Sequence, residues 1–310
     1  MSGSHRQFTT QPALPMRANI PWYFRLASAW ITADLRGGYA WLRMLRRYGL
    51  LDQCAPFSIG KRTVQVPLFS TSLTDPQLFN YYERDAIAAM LHSAEAFEEA
   101  PLLIDCGADV GLYSLLLLER GLRPANIFAV EPNARSFAVL AENFRTANTA
   151  TSLFHGALSS MPGTGALMAP DYDPQDRAGF VEFGAGELPV ETIDSLLREH
   201  HTQPLLIKVD VEGAELAVLE GARGSLARAS AFTVQFEAHP SVSARTGSDP
   251  IECLQLLIEL GAQSWTCCEE ASGQVFTGVR PGKEFFTQIR PDKIIDVVVS
   301  SSPTTFEDSL

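Results

Sequence analysis

Four short apolar runs end in or beside an acidic residue, and helical spacing of apolar positions follows each one. In the first run, at 102–106, Leu-Leu-Ile-Asp-Cys precedes Gly107 and a helical segment over 110–120. Apolar runs of this length, bounded by glycine and followed by amphipathic segments, are typical of strands that alternate with helices. The other three runs lie at 126–131, 205–210 and 232–238.

This alternation continues from 101 to 300 and predicts one mostly parallel α/β sheet with helices on both faces. The helix at 192–200 has Thr192 or Asp194 as its candidate cap. The remaining predicted elements are strands at 151–158, 264–269 and 294–299 and helices at 133–148, 192–200, 211–229 and 250–260.

Before residue 99 the pattern is different. Residues 1–18 have the composition of a flexible arm, and two helical segments, 22–30 and 38–48, precede a hairpin at 57–67 that turns at Gly60-Lys61. We therefore expect four parts, namely the arm, an accessory segment of helices and hairpin at 19–98, a main domain at 99–300 and a polar tail at 301–310.

Residues 159–189 interrupt the main domain with many Gly, Pro and Asp residues. Segments 165–169 and 180–183 are predicted to pair as a hairpin, with 171–176 as the loop between them. A loop this long in a compact domain is usually functional or disordered, and this one is a candidate cover for a substrate.

The turn after the first strand predicts a ligand site. Gly107 and Gly111 permit a left-handed backbone or a close approach to a ligand. Their spacing differs from the Gly-x-Gly-x-x-Gly of dinucleotide enzymes, and no Lys-Ser/Thr pair follows as in a phosphate loop. Asp105 before the turn suits a ligand with an ammonium group, such as the methionine part of S-adenosylmethionine.

Glu131 ends the second run, 20 residues after Gly111. An acid at this place in a doubly wound fold can accept hydrogen bonds from both hydroxyls of a ribose. The alternative is that Glu131 complements the N-terminal dipole of the following helix.

Composition restricts the function classes. Hydrophobic residues make up 46% of the chain, yet no apolar run approaches the ~18 residues of a membrane span. The five cysteines show no metal-site spacing, and Arg17 and Arg25 interrupt any signal-peptide pattern, so we expect a cytoplasmic protein. The net charge of −12 argues against non-specific binding of nucleic acid.

The charge is unevenly spread. Residues 1–62 hold nine Lys or Arg and two acids, which gives a net charge of +7. Because the whole chain carries −12, residues 63–310 carry −19. Over residues 36–48, helical spacing places three arginines on one face and the aromatic and aliphatic residues on the opposite face. We expect the apolar face to pack on the main domain. A second hypothesis is that residues 19–50 contact an anionic membrane, at the inner membrane surface, or a lipid-linked substrate. The arginines are Arg36, Arg43 and Arg47, and the apolar residues are Trp41, Met44, Leu45 and Tyr48.

The polar groups at the later strand ends are the candidates for catalysis. Our leading hypothesis is that Asp210 and Glu237 frame an acceptor and His239 acts as general base. A variant has these three residues bind a divalent cation, and a plain alternative is a cluster of ordinary charges. Glu212 is a further candidate, whereas for Glu215 we favour stabilisation of a helix N-terminus.

Over about residues 100 to 240 the chain resembles the FkbM-type methyltransferases, a family of class I S-adenosylmethionine-dependent enzymes. Asp109 stands where the family generally has Asn, and Cys106 where it often has Val. The additional acid affects cofactor affinity rather than the type of reaction. The matching motifs are Asp-Cys-Gly-Ala-Asp-Val-Gly at 105–111, Val-Glu-Pro-Asn at 130–133, Glu-Thr-Ile-Asp-Ser-Leu at 191–196 and Ile-Lys-Val-Asp-Val-Glu-Gly-Ala-Glu at 207–215.

The resemblance implies the Rossmann-like, seven-stranded class I sheet with an antiparallel last hairpin, and methyl transfer to hydroxyl oxygens of sugars or polyketide-type natural products. The alternatives are a tailoring enzyme for small molecules and a catalytically silent scaffold. A nicotinamide-dependent oxidoreductase is disfavoured by the glycine spacing. The candidate cofactor-binding residues are Asp105, Gly107, Ala108, Asp109, Gly111, Tyr113, Glu131, Pro132, Asn133, Ala157 and Asp210.

Overall fold

The computed structural model describes most of the chain. The described residues are 16–18, 20–33, 36–68, 83–145, 147, 149–168, 179–200, 202–239, 249–269, 274–279 and 293–303. The helices are α1 Trp22–Thr32, α2 Gly38–Arg47, α3 Arg84–Glu95, α4 Leu112–Glu119, α5 Ala134–Arg145, α6 Ile193–Leu196, α7 Glu215–Glu220, α8 Arg223–Arg228 and α9 Pro250–Glu259.

The strands form three sheets. They are β1 Met16–Ala18, β2 Cys54–Ile59, β3 Arg62–Pro67, β4 Leu102–Cys106, β5 Asn126–Glu131, β6 Thr151–His155, β7 Ala157–Leu158, β8 Gly163–Met168, β9 Phe180–Phe183, β10 Leu188–Glu191, β11 Leu205–Val209, β12 Phe232–Ala238, β13 Ser264–Glu269, β14 Gln274–Val279 and β15 Ile295–Ser300.

The large sheet has the strand order β14-β13-β15-β12-β11-β4-β5-β6. Strands β6, β5, β4, β11 and β12 are parallel, and β15 runs antiparallel to both β12 and β13. The predicted seven-stranded class I sheet is therefore confirmed, with β14 added at one edge. The strand order reverses between β4 and β11, and ligands of doubly wound folds bind at the carboxyl ends of the strands at such a reversal.

Alternate residues of the central strands enter two cores, one on each face. Leu103 and Leu206 belong to the core that also contains α3, α4, α5 and the N-terminal elements. Ile104 and Ile207 belong to the other core, which packs under α7, α8 and α9. Both faces are covered, so the strands are near-continuous apolar runs rather than alternating ones.

The N-terminal segment shares the first core instead of forming a core of its own. Phe24, Leu42 and Phe57 are fully buried in the same cluster as Leu116. The predicted hairpin is confirmed as β2 and β3 with the turn at Gly60-Lys61. Strand β1 pairs with β2, so the predicted flexible arm includes a strand at its end.

The predicted apolar face of α2 is partly wrong. Leu45 is buried and Trp41 half-buried, but Met44 and Tyr48 are 38% and 71% exposed, while Leu42 is buried in their place. The packed side of α2 is thus rotated by about one residue position from the predicted side, because α1 and the hairpin cover the Leu42–Leu45 side.

Two predicted elements are divided in the structure, and a third is shortened. The strand predicted at 151–158 breaks at Gly156 into β6 of the large sheet and β7 of a small sheet ordered β7-β10-β8-β9. The helix predicted at 192–200 is only the short α6, capped by Thr192, and Asp194 instead accepts hydrogen bonds from the backbone of α8. The helix predicted at 211–229 is interrupted at Gly221, where a Cβ would lie 2.2 Å from the Ser159 carbonyl oxygen.

The predicted hairpin in the interruption is confirmed as β8 paired with β9. Its loop at 171–176 lies outside the described residues, as do residues 1–15, Pro240 and residues 304–310. No helix in the described part of the chain is long and apolar enough to cross a membrane.

Candidate active site

The turn after β4 is built on two glycines that no other residue could replace without strain. Gly107 has φ +78, and a Cβ there would lie 1.8 Å from the carbonyl oxygen of Asp210. Gly111 has φ +82, and its Cβ would collide with Phe144 at 2.4 Å. The chain therefore passes close to the end of β11 on one side and close to α5 on the other.

Asn143 of α5 holds this turn from the opposite side. Its amide nitrogen donates hydrogen bonds to Val110 O at 2.8 Å and to Gln65 O of β3 at 2.9 Å. Its amide oxygen accepts a hydrogen bond from Gln65 N at 2.8 Å. The N-terminal hairpin is thus connected to the glycine turn through one buried side chain.

Glu131 ties the turn after β4 to the end of β5. Its Oε2 accepts a hydrogen bond from Asp109 N at 2.8 Å, and its Oε1 accepts one from Asn133 N at 2.7 Å. Asp109 makes this bond with φ +48. Asn and Asp enter this left-handed region more readily than other non-glycine residues. The departure from Asn at position 109 therefore preserves the backbone geometry and changes only the charge.

The Glu131 carboxyl is 6% exposed. Burial, and secondarily the charge of Asp109, raise the pKa of Glu131 to about 8. The two backbone donors act in the opposite direction. Each carboxylate oxygen keeps a lone pair for one further donor, so the group can accept hydrogen bonds from two neighbouring hydroxyls.

Asp105 is completely buried beneath the same turn. Ser114 Oγ donates a hydrogen bond to its Oδ2 at 2.6 Å, whereas its Oδ1 has no hydrogen-bond partner among the described residues. Burial raises the pKa of Asp105, and the charge of Lys208 opposes that effect. An unsatisfied buried acceptor is costly, and a donor supplied by a ligand would satisfy it.

Four further residues that were predicted to bind the cofactor lie at this edge of the sheet. Ala108, Pro132 and Ala157 lie at the same edge, since Ala108 N bonds to Val130 O at 2.9 Å and Gly156 N, next to Ala157, bonds to Glu131 O at 3.2 Å. Asn133 also lies there, but its side-chain oxygen accepts a hydrogen bond from Arg135 N at 2.9 Å and caps α5.

Tyr113, also predicted to bind the cofactor, is buried beneath the edge. Its side chain is 1% exposed, and its hydroxyl donates a short hydrogen bond to Gln235 Oε1. The apolar first turn of α4 directs this residue into the core, where the ring packs against the sheet. Burial raises the pKa of Tyr113 well above its usual range.

Lys208 is a residue of this site that the sequence reasoning missed. It lies in β11, beside Asp105 of β4, and its side chain is 4% exposed. Its Nζ is 2.9 Å from Asp210 Oδ2, 3.8 Å from Glu83 Oε1 and 5.1 Å from the centre of the Tyr113 ring. The buried ammonium thus fixes the Asp210 carboxylate at the end of β11.

Lys208 belongs to a row of polar residues on one face of four adjacent strands. Gln235 of β12 donates from Nε2 to Glu83 Oε2 at 2.7 Å and to Asp296 Oδ1 at 3.2 Å. The row runs Asp105, Lys208, Gln235, Asp296 across β4, β11, β12 and β15. Asp105 and Lys208 are each the single polar residue of an apolar strand, and that pattern is the signal that could have identified Lys208.

Asp210, Glu237 and His239 lie at the carboxyl ends of neighbouring parallel strands. Val209 pairs with Phe236, so Asp210 and Glu237 follow at the same level. All three residues are partly exposed, as an acceptor-binding group must be. The described residues include no group of three or more His, Cys, Asp or Glu able to hold a metal ion, so the metal variant of the hypothesis is not supported.

Glu215 lies at the start of the helix that follows β11, in agreement with the structural role that the sequence favoured for it. Glu215 is buried, and its Oε1 accepts a hydrogen bond from Gly213 N at 2.8 Å at the start of α7. Glu212 adopts φ +56 in the turn between β11 and α7. Glu215 therefore stabilises this turn.

The methyltransferase FkbM domain family matches residues 105–264, slightly more than half of the chain. That stretch begins at the buried Asp105 and includes every strand end described above. The chain belongs to the FkbM methyltransferase family. The resemblance seen in the four motifs is confirmed.

Two relatives of this FkbM domain are similar over much of their own length. The hexuronic acid methyltransferase AglP of Haloferax volcanii is 31% identical over 181 residues, which cover 57% of this chain and 68% of the relative. The methyltransferase sdnD of Sordaria araneosa is 28% identical over 194 residues, which cover 48% of this chain and 74% of the relative.

A crystal structure of the methyltransferase FkbM from Methylobacillus flagellatus is a more distant likeness. It is 15% identical with a TM-score of 0.41, and the match covers 69% of this chain and 47% of that one. The class I topology of the FkbM domain described here follows from its own strand order.

The site residues fit S-adenosylmethionine, the cofactor of this methyltransferase family. Carboxylates and backbone groups make up the edge. Asp105 Oδ1 is a buried acceptor without a partner in the described part of the chain, and Glu131 can accept hydrogen bonds from paired hydroxyls. No Lys or Arg occurs in the turn at 105–111. A cationic ligand that bears a ribose suits this set, whereas a pyrophosphate does not.

Proposed function

We propose that this FkbM domain transfers a methyl group from S-adenosylmethionine to a hydroxyl oxygen of a sugar. The observation that carries the proposal is the position of Asp210. Lys208 holds it at 2.9 Å, at the same sheet edge as Glu131 and Asp105, and next to the open ends of β11 and β12. A cofactor-suited set and an acceptor-suited set thus occupy neighbouring strand ends.

The cofactor residues have separate tasks in this proposal. Asp105 and the backbone of the 107–111 turn hold the methionine part, and Glu131 holds the ribose. The bound cofactor supplies a methyl group that is already activated on a sulfonium sulfur. The protein therefore needs mainly to place an acceptor oxygen in line with that methyl group.

The acceptor residues perform the proton chemistry. A sugar hydroxyl is a poor nucleophile, so removal of its proton in the transition state accelerates the reaction. His239 is the proposed general base, and Asp210 and Glu237 accept hydrogen bonds from neighbouring hydroxyls of the acceptor. Lys208 keeps Asp210 oriented, since its ammonium lies 2.9 Å from the carboxylate.

Two observations support a sugar as acceptor. Carboxylates and an imidazole at the ends of β11 and β12 are acceptors for hydroxyl groups, which sugars present in adjacent pairs. The similarity to a relative named as a hexuronic acid methyltransferase, over 68% of that relative, points to the same substrate class. The large acidic charge of residues 63–310 argues against a nucleic acid.

The experiment is methyl transfer from labelled S-adenosylmethionine into fractionated extract of the producing cells. We expect label in the polysaccharide or glycolipid fraction. Label only in the small-molecule fraction would replace the sugar with a natural product as acceptor. No transfer to any fraction, together with tight binding of S-adenosylhomocysteine, would indicate a silent scaffold and overturn the proposal.

A variant tests the assignment of the base. His239→Gln should lower turnover about 10²- to 10⁴-fold, the usual contribution of a general base. It should leave the affinity for S-adenosylhomocysteine unchanged, because His239 follows β12 rather than the cofactor turn. Unchanged turnover in this variant would rule out His239 as the base without affecting the methyltransferase proposal.

A further inference from the structure

Helices α1 and α2 expose apolar and basic side chains together. Of the seven large hydrophobic side chains exposed in the described residues, four lie here: Trp22 at 74%, Tyr48 at 71%, Leu26 at 47% and Met44 at 38%. Exposed apolar groups that cluster in this way usually mark an interaction site.

Helical spacing collects these residues into two stripes. Trp22 and Leu26 are four positions apart on the outer side of α1, and Met44 and Tyr48 are four apart on α2. The opposite sides are buried, with Phe24 and Leu42 fully enclosed. The two helices pack together, and Trp41 Nε1 donates a hydrogen bond to Tyr23 O at 3.3 Å.

The same stripe of α2 is basic. Arg43 and Arg47 are exposed beside Met44 and Tyr48. Among the described residues 20–33 and 36–50 there is no Asp or Glu. We name Trp22, Leu26, Arg43, Met44, Arg47 and Tyr48 the α1–α2 surface.

We propose that the α1–α2 surface docks the protein on an anionic lipid bilayer. Aromatic and aliphatic side chains next to arginines, on helices whose other sides are buried, are the composition of interfacial helices. The helices have 11 and 10 residues, so they lie on a bilayer and do not span it.

The uneven charge along the chain determines how the protein is oriented on the bilayer. Residues 1–62 carry +7 and residues 63–310 carry −19. An anionic bilayer attracts the first part and repels the second, so the basic helices face the lipid and the acidic domain faces away.

A second copy of the chain fits this surface less well. A two-fold dimer through the α1–α2 surface would bring Arg43 and Arg47 of both copies together without any acid among the described residues of these helices. Like charges placed opposite each other oppose such an interface.

The test is co-sedimentation with phosphatidylcholine vesicles, with and without phosphatidylglycerol. The wild-type protein should bind only the anionic vesicles, and added salt should release it. Arg43→Gln combined with Arg47→Gln should weaken binding about 25-fold, since each basic residue near an anionic surface contributes about fivefold. Trp22→Ser combined with Leu26→Ser should also weaken binding.

Matched controls alter similar side chains elsewhere on the surface. Arg198→Gln with Arg228→Gln makes the same charge change, and Met161→Ser removes a side chain that is 73% exposed. Both controls should bind as the wild type does. All these residues are exposed, so we expect the variants to fold. The salt dependence of wild-type binding tests the proposal independently of the variants.

Three outcomes would overturn the proposal: no binding to anionic vesicles, equal binding to neutral vesicles, or equal loss in the controls. A dimer in sedimentation without lipid that Trp22→Ser with Leu26→Ser dissociates would assign the surface to a second copy instead. The proposal goes beyond the methyl transfer, and its readout is binding, so failure of either proposal leaves the other intact.

Discussion

A row of buried polar residues on adjacent strands lies beneath this candidate site. Asp105, Lys208, Gln235 and Asp296 each occupy one position on one face of a buried strand. Lys208 alone contacts two carboxylates and an aromatic ring. Such a group is costly to bury, so removal of one partner has large consequences.

The first prediction concerns Asp109 and the protonation of Glu131. Burial raises the pKa of Glu131 to about 8 with Asp109 as a further cause. The ionised form accepts two hydroxyls, so S-adenosylhomocysteine affinity should rise as the pH increases from below 8 to above it. Asp109→Asn removes the neighbouring charge and lowers the pKa of Glu131, so affinity at pH 7 should increase severalfold, below the ~10-fold expected of one full pKa unit.

Calorimetric titration across this pH range measures the effect, and Glu131→Gln is the control. That variant should bind more weakly and lose the rise with pH, because a neutral amide replaces the titrating group. A wild-type affinity that falls as the pH rises would contradict the assignment of Glu131 to the ribose.

The second prediction concerns Lys208. Lys208→Met leaves Glu83 and Asp210 without the buried ammonium, which should lower the free energy of unfolding by about 3 kcal/mol. It should also lower turnover, since Asp210 loses its orientation. Denaturant unfolding compares this variant with Arg223→Met, whose pair with Glu259 is exposed and should change stability by less than about 0.5 kcal/mol. Equal stability of the two variants would show that Lys208 does not hold the site together.

At the scale of the elements, the sequence predicted the strands that carry the site. β4, β5, β11 and β12 are apolar runs with clear ends, and the turn after β4 followed from its two glycines. The divisions at Gly156 and Gly221 could not be predicted, because each depends on a close approach to a distant segment. At Gly221 that neighbour is Ser159 O, 62 positions away.

The site residues show the same limit. Asp105, Glu131 and Asp210 were predicted because they end apolar runs, which is a local property. Lys208 and Gln235 were missed because their partners include Glu83 just before α3, a residue of α4 and a residue of β15, which no spacing in the sequence brings together. The burial of Tyr113 could not be predicted, since its position next to the turn does not reveal the face of α4 to which it belongs.

The third prediction separates backbone strain from close packing in the glycine turn. Gly107→Ala combines φ +78 with a Cβ at 1.8 Å from Asp210 O, so it should destabilise the fold most and abolish cofactor binding. Gly121→Ala has φ +112 and no atom within 4 Å, so strain alone should cost about 1–2 kcal/mol.

Gly163→Ala is the matched control, with neither a positive φ nor a neighbour within 4 Å. It should change the free energy of unfolding little. Thermal and denaturant unfolding of the three variants should therefore rank Gly163→Ala above Gly121→Ala, and Gly121→Ala above Gly107→Ala. A Gly107→Ala protein with normal stability and cofactor affinity would contradict the close approach of Gly107 to the carbonyl oxygen of Asp210.

At the scale of the whole molecule, the N-terminal segment and the FkbM domain share one core and carry opposite charge. The segment's hairpin is connected to the glycine turn at 107–111 through Gln65 and Asn143. Its helices expose the basic α1–α2 surface. The molecule therefore combines a class I methyltransferase sheet with a segment that both supports the turn and presents a separate surface.

Methyl transfer to a hydroxyl oxygen is tested by identifying the product. Purified protein, S-adenosylmethionine and a glycoside containing a uronic acid are incubated together, and mass spectrometry with fragmentation locates the added methyl group. We expect a methyl ether on a ring hydroxyl, and we expect His239→Gln to form far less of it. A methyl ester on the carboxyl group, or a methylated product formed equally well by the variant, would contradict the proposed hydroxyl chemistry.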